Sequence, residues 1–162
     1  MRGKRLGEGT FGVVFEGMYK PQLEPGESRI ATEIKSRLPP NMAVKVFNTD
    51  KDENFIAKLR HECNLLKTVD HPNIVKYYGF VESLDQTEAS IFMELMPHSL
   101  QTSYENFGPM NERILRRHTR QILEALCYLH NHEKKIIHGD LKAANILYDG
   151  KNVKLTDFGD SR

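Results

Sequence analysis

Apolar and polar positions along the chain follow two rhythms, one of strands and one of helices. Lys4 to Leu6 leads into a glycine-rich turn over Gly7 to Gly12, and Val13-Val14-Phe15 leads out of it as a second strand. Residues 20–41, with Pro21, Pro25-Gly26, Ser28 and Pro39-Pro40-Asn41, predict a loop. Met42 to Phe47 predicts a strand with apolar residues on both faces. From Asp50 to Val69 the spacing of Phe55, Leu59, Leu66 and Val69 predicts a helix, ended by His71-Pro72-Asn73. Ile74 to Val81 and Ser90 to Met96 predict two further strands. Asn111 to His132 predicts a long amphipathic helix, with Leu115, His118, Ile122, Ala125, Leu126 and Leu129 as its apolar stripe. Ile136-Ile137-His138 reads as a short buried segment. Ile146-Leu147-Tyr148 and Val153-Lys154-Leu155 flank Asp149-Gly150 as a hairpin. The order is five strands with one helix, then a mainly helical segment with short strands. The fold class is α+β.

Composition changes this picture little. The 162 residues suffice for a real core, and 39% hydrophobic with 28% charged residues is ordinary for a globular protein. A formal net charge of +1 gives no push toward nucleic acid or an anionic membrane, so neither is expected as a partner. No apolar run approaches the ~18 residues of a membrane span. The basic start MRGKRLGEGTFG lacks the apolar region of a secretory signal. Cys63 and Cys127 stand in no metal-ligand spacing and read as two free thiols. A cytoplasmic protein is the resulting expectation.

The candidate chemistry begins at Gly7, Gly9 and Gly12, spaced G-x-G-x-x-G and followed by Val14. Glycine lets backbone N–H groups approach phosphates, but many such patterns are ordinary turns. A dinucleotide-binding fold would run from these glycines into a helix. Here they run into a strand, which argues for a flap. Lys45 lies in an apolar strand, where a lysine is costly to bury unpaired. It is either a snorkelling edge residue or a fixed cation for phosphates, held by a carboxylate such as Glu62, seventeen residues on. In the run from His138 to Asn145, Asp140 and Asn145 are five apart, and Asp157-Phe158-Gly159 begins seventeen residues after Asp140. A single such Asp is usually a turn or cap residue. Together they fit phosphoryl transfer, which needs an acceptor to orient a hydroxyl and oxygen ligands for Mg²⁺. Asp140 can be that acceptor, Asn145 and Asp157 are hard oxygen donors, and Lys142 can offset charge on the moving phosphoryl group.

At these residues the sequence resembles the eukaryotic protein kinase family, over nearly the whole chain outside 20–41. The resemblance implies an N-lobe and hinge over residues 1–96, with 20–41 an inserted loop, and the start of a C-lobe over 97–162. It implies ATP and Mg²⁺ as cofactors. The loop Gly7, Glu8, Gly9, Thr10, Phe11 and Gly12 would cover the phosphates, with Lys45 paired to Glu62. Val14, Ala43 and Leu147 would flank the adenine, Met93 would guard the back of the pocket, and Glu94 to Met96 would form the hinge. Leu66, Tyr77, His138 and Phe158 fall where the family stacks its hydrophobic spine. Lys142, two residues after Asp140, resembles the Ser/Thr branch. His71 to Gly79, Thr119 to Leu126 and Leu129-His130 resemble MAP kinase kinase kinases, which implies a protein substrate such as a downstream kinase.

The sequence departs from the family pattern at Gly139, where the family usually has an Arg that pairs with a phosphate, so activity independent of that pairing is expected. By the resemblance the chain stops just past Asp157-Phe158-Gly159, before the helices that bind protein substrate, which would leave little to cover the apolar stripe of the 111–132 helix. Two readings result: a Ser/Thr protein kinase domain, or a weak or inactive kinase fragment that binds nucleotide or another protein. Lys45, Asp140 and Asp157, which inactive relatives typically lose, are all present. A small-molecule phosphotransferase fits Lys142 less well.

Overall fold

The computed structural model describes residues 2–9, 12–18, 38–50, 52–85 and 87–161. The chain divides into two compact units, residues 1–56 with 77–95, and residues 57–76 with 96–162.

The first unit is built on a five-stranded antiparallel sheet. Its strands are β1 (Arg2–Gly9), β2 (Gly12–Met18), β3 (Asn41–Asn48), β4 (Tyr77–Glu82) and β5 (Glu88–Met93), in the order β1-β2-β3-β5-β4. Gly9 pairs with Gly12, so the glycine motif is a hairpin rather than a strand-to-helix turn. At Gly12 a side chain would place its Cβ 2.6 Å from the Val46 carbonyl oxygen, so this glycine is required by packing. At Gly7 a Cβ would meet nothing within 4 Å, so packing does not account for that glycine. Met42, Val44 and Val46 of β3 form a buried cluster with Phe15, Leu38, Tyr78 and Phe92. These are alternate residues of one strand and share one face. The expected loop over 20–41 lies outside the described residues from 20 to 37, and Asn41 already belongs to β3.

Helix α1 (Glu53–Leu66) is shorter at both ends than the predicted span from Asp50 to Val69. Asp50 has φ 44°, and the Asp52 carboxylate accepts from the amides of Asn54 and Phe55, which fixes the start one residue later. The buried residues of α1 are Ile56, Leu59, Cys63 and Leu65, and Leu66 and Val69 pack partly buried on the same core, so the inward face takes in Leu59, Leu66 and Val69 of the predicted stripe and adds Ile56, Cys63 and Leu65.

The second unit packs α3 (Glu112–Asn131) on a small hairpin. The periodicity of α3 placed it well: Asn111 caps its N-terminus through Oδ1 to the Ile114 amide. Strands β7 (Ile146–Tyr148) and β8 (Val153–Leu155) pair as predicted, joined by a four-residue turn in which the Asp149 carboxylate accepts from the amides of Lys151 and Asn152. Ala125 and Leu129 of α3 meet Ile136, Ile146, Val153, Leu155, Phe158, Leu65 and Ile74 in one core. Leu115 departs from the prediction: it is 56% exposed and lies on an open face with Leu123. Of the segment 136–138, Ile136 and His138 are buried and Ile137 is exposed, which is strand-like alternation. Two elements carry too few residues to show in the sequence pattern, β6 (His98–Ser99) and α2 (Leu100–Phe107), whose N-terminus Ser99 caps. Among the described residues no helix is long and apolar enough to cross a membrane.

Candidate active site

In the first unit, strand register gathers the residues expected around a nucleotide. Val14 lies opposite Lys45, Glu16 opposite Ala43, and Ala43 opposite Met93, so Val14, Ala43, Lys45 and Met93 fall on three adjacent strands. The Lys45 ammonium lies 5.3 Å from the centroid of the Phe47 ring on the same face of β3. Glu94 follows β5 and is half-buried. Thr10 and Phe11 lie outside the described residues, as does the Glu8 side chain.

The second unit holds the remaining candidates, including Met96, which is buried there. Its catalytic candidates are brought together by a one-turn 3-10 helix, Ala143–Asn145, leading into β7. Asn145 is 6% exposed, and its Nδ2 donates to both the Asp140 backbone oxygen and Asp140 Oδ2, each at 2.9 Å. The Lys142 ammonium donates to the same Oδ2 at 2.6 Å. Two donors therefore converge on Oδ2, and Oδ1 is left to accept from a substrate hydroxyl. The Lys142 hydrogen bond holds the Asp140 carboxyl below its ordinary value. A carboxylate so stabilised is a poor early base. It suits a group that orients the hydroxyl while the bond to phosphorus forms.

Asp157 reaches this group through the backbone. The Thr156 amide donates to the Asn145 carbonyl at 3.0 Å, and Ile146 pairs with Leu155, so the β7–β8 ladder ties Asn145 to the segment carrying Asp157. Asp157 itself is in the left-handed region at φ 64°, which Asp tolerates better than most residues. The Glu62 and Asp157 carboxylates both flank Gly159, at 3.8 and 3.7 Å from where a Cβ there would stand. His138, 2% exposed, bonds through Nε2 to the Thr156 carbonyl at 3.0 Å, and its ring is 4.8 Å from that of Phe158. The Asp140 amide donates to His138 Nδ1 at 3.4 Å, which makes Nε2 the protonated nitrogen. Of the expected spine, His138 and Phe158 meet, Leu66 packs on the core containing Phe158, and Tyr77 belongs to the first unit. Leu147 is half-buried in β7.

Asn145 also meets a test as a metal ligand. Its amide nitrogen is committed to Asp140, which leaves the Oδ1 carbonyl as its ligating atom. One carboxylate and one carbonyl suit Mg²⁺, which takes few protein ligands and completes its shell with phosphates and water. Among the described residues there is no cluster of three or more His, Cys, Asp or Glu side chains that could form a dedicated protein cage.

A family model of the protein kinase domain matches residues 1–162. The chain belongs to the protein kinase family. Its kinase domain is 40% identical over 163 residues to the mitogen-activated protein kinase kinase kinase ANP1 of Arabidopsis thaliana, covering 99% of this chain and 22% of that protein. It is 36% identical to mitogen-activated protein kinase kinase kinase 3 of Homo sapiens, covering 99% and 24%. It is 34% identical to serine/threonine-protein kinase STE11 of Saccharomyces cerevisiae, covering 100% and 26%. The chain thus spans about a quarter of the length of these curated relatives.

Sequence reasoning missed two residues that hold the β7–β8 hairpin of the kinase domain. Gln121 accepts from the Val153 amide at 3.1 Å and donates to Asn152 Oδ1 at 2.9 Å. Asn73, 6% exposed, donates through Nδ2 to the Val153 carbonyl at 2.8 Å. The signal for Gln121 was available: a polar side chain lies between His118 and Ile122 on the inward side of α3. For Asn73, the loop following α1 gave no sign that its side chain would be buried.

Proposed function

We propose that this chain is the nucleotide-handling part of a protein serine/threonine kinase, which transfers the γ-phosphate of ATP to Ser or Thr hydroxyls of a protein substrate. The observation that carries the reading is the convergence of Lys142 and Asn145 on one oxygen of Asp140, with the other oxygen open. In this reading Asp140 Oδ1 accepts the substrate hydroxyl and Lys142 offsets charge on the transferred group. The glycine hairpin and Lys45 bind phosphates, with Lys45 paired to Glu62. Val14, Ala43 and Leu147 contact adenine, Met93 backs it, and the backbone of Glu94 to Met96 bonds to it. Asn145 and Asp157 hold Mg²⁺, which when bound neutralises the phosphate oxygens. The names of the relatives support a place in a MAP kinase cascade, with a downstream kinase as substrate. A cytoplasmic location goes with that role.

The test is phosphotransfer from radiolabelled ATP to Ser-, Thr- and Tyr-containing peptides and to a small hydroxyl acceptor, beside Asp140→Asn. The expected result is label on Ser and Thr only, lost in the variant while nucleotide binding persists. Label on Tyr or on the small acceptor would overturn the substrate assignment. A second reading, a kinase-derived interaction module, is favoured by the open apolar face of α3 at Leu115, Leu123 and Cys127. Nucleotide binding without any transfer would select it.

A further inference from the structure

Gly139 precedes Asp140 and has φ +82°. An L side chain there would place its Cβ 2.3 Å from the Asp160 carbonyl oxygen, 2.9 Å from its carbonyl carbon and 3.3 Å from its Cβ. Backbone therefore lies directly against backbone, and no rotamer of a substituted residue relieves a Cβ clash. This contact adds to the Thr156 amide's bond to the Asn145 carbonyl and to a further contact that joins the catalytic loop to the segment after β8. That further contact is His138, which holds Thr156 and Phe158. Between them lies Asp157. The turn is closed by the Ser161 amide donating to the Phe158 carbonyl at 3.0 Å. An Arg introduced at Gly139 would thus meet the segment before reaching any partner.

We propose that Gly139 is a positioning residue: its missing side chain lets the Asp160 carbonyl seat on the catalytic loop and so sets where Asp157 can ligate a metal beside Asn145. The proposal rests on the reading of Asn145 and Asp157 as the metal ligands. A side chain at 139 pushes the Asp160 backbone away, and Asp157, three residues earlier in the same turn, moves with it. Asn145 is fixed separately by its two bonds to Asp140 and by the hairpin, so the separation between the two ligands changes.

The test compares the 162-residue chain carrying Gly, L-Ala or D-Ala at position 139. The exposed Cys127 allows ligation of a recombinant segment 1–126 to a synthetic peptide 127–162. A D-residue favours positive φ and places its Cβ at the other hydrogen position of Cα, out of the direction that meets the Asp160 carbonyl. Each form is tested for binding of ATP alone and of Mn²⁺ with ATP, the metal read by electron paramagnetic resonance. Hydrogen exchange at the Ser161 amide is read on the same samples without nucleotide. Gly139→Ala should weaken Mn²⁺ with ATP by at least about tenfold while metal-free ATP binding stays within about twofold, since disturbing a group that orients a metal ligand costs about 10- to 100-fold in metal affinity. It should also speed Ser161 exchange by at least about tenfold. The D-Ala form should restore both. Equal losses in the L and D forms, or unchanged Ser161 exchange in Gly139→Ala, would overturn the proposal. If the Gly form itself fails to bind Mn²⁺ with ATP, the ligand assignment falls. The exchange comparison then still decides whether Gly139 seats the segment.

Discussion

Acidification should destabilise the second unit through His118, and the effect can be sized. This residue of α3 is 1% exposed, and its ring stands edge-on to Tyr148 at 4.9 Å between centroids. Neither ring nitrogen has a well-formed hydrogen bond. Burial lowers its pKa below 6.5 and the Arg117 charge lowers it further, while the approaching Lys151 backbone and the Asp149 carboxylate pull the other way. His138, 2% exposed, is likewise lowered by burial. A histidine with a depressed folded pKa contributes stability that is fully present above its unfolded value near 6.5. That stability is lost as pH falls through the folded value. Between the two values the unfolded chain binds up to one extra proton per histidine, so stability falls by at most about 1.4 kcal/mol per pH unit for each, and by at most about 2.7 kcal/mol per unit for the pair. The assay is urea unfolding at a series of pH values from about 7 to about 5. His118→Phe keeps a ring against Tyr148 and removes one titration, so it should flatten the slope, by at most about 1.4 kcal/mol per unit. A slope that is the same in His118→Phe as in the parent would refute the reasoning.

Two further outcomes follow from the packing. Gln121→Ala leaves the buried Val153 amide without its partner and should cost about 1–3 kcal/mol by urea unfolding, whereas Gln121→Glu keeps the acceptor and should cost less. Leu129→Ala, at a fully buried position on α3, should cost about 2–5 kcal/mol with an unchanged denaturant slope.

The strong periodicities and the spacing of chemical residues were legible in the sequence. Helix α3 was placed to within a residue at each end, because its apolar stripe recurs at helical spacing over most of its length. The sheet of the first unit could be anticipated because the glycine run leads into Val13-Val14-Phe15 and not into a helix. Strands shifted by a few residues, as in β5 over Glu88–Met93 against the predicted Ser90 to Met96, because pairing with β3 decides where a strand stops and apolar character alone does not. The spacing of Asp140, Lys142 and Asn145 is legible in the sequence, but not that both donors share one oxygen. That depends on the 3-10 turn at Ala143–Asn145, which no periodicity reveals. At Gly139 the sequence shows only a missing arginine. The steric role of this glycine arises from the Asp160 carbonyl, twenty-one residues away along the chain.

The most direct test of the central claim, that these residues make a site for ATP with Mg²⁺, is thermal unfolding of the chain with and without that ligand, beside Lys45→Met. A ligand that binds the folded chain alone adds about 2.7 kcal/mol of stability at a hundredfold excess over Kd. The account predicts a clear upward shift in the parent and a much smaller one in Lys45→Met. No shift in the parent, or an equal shift in both, would contradict it.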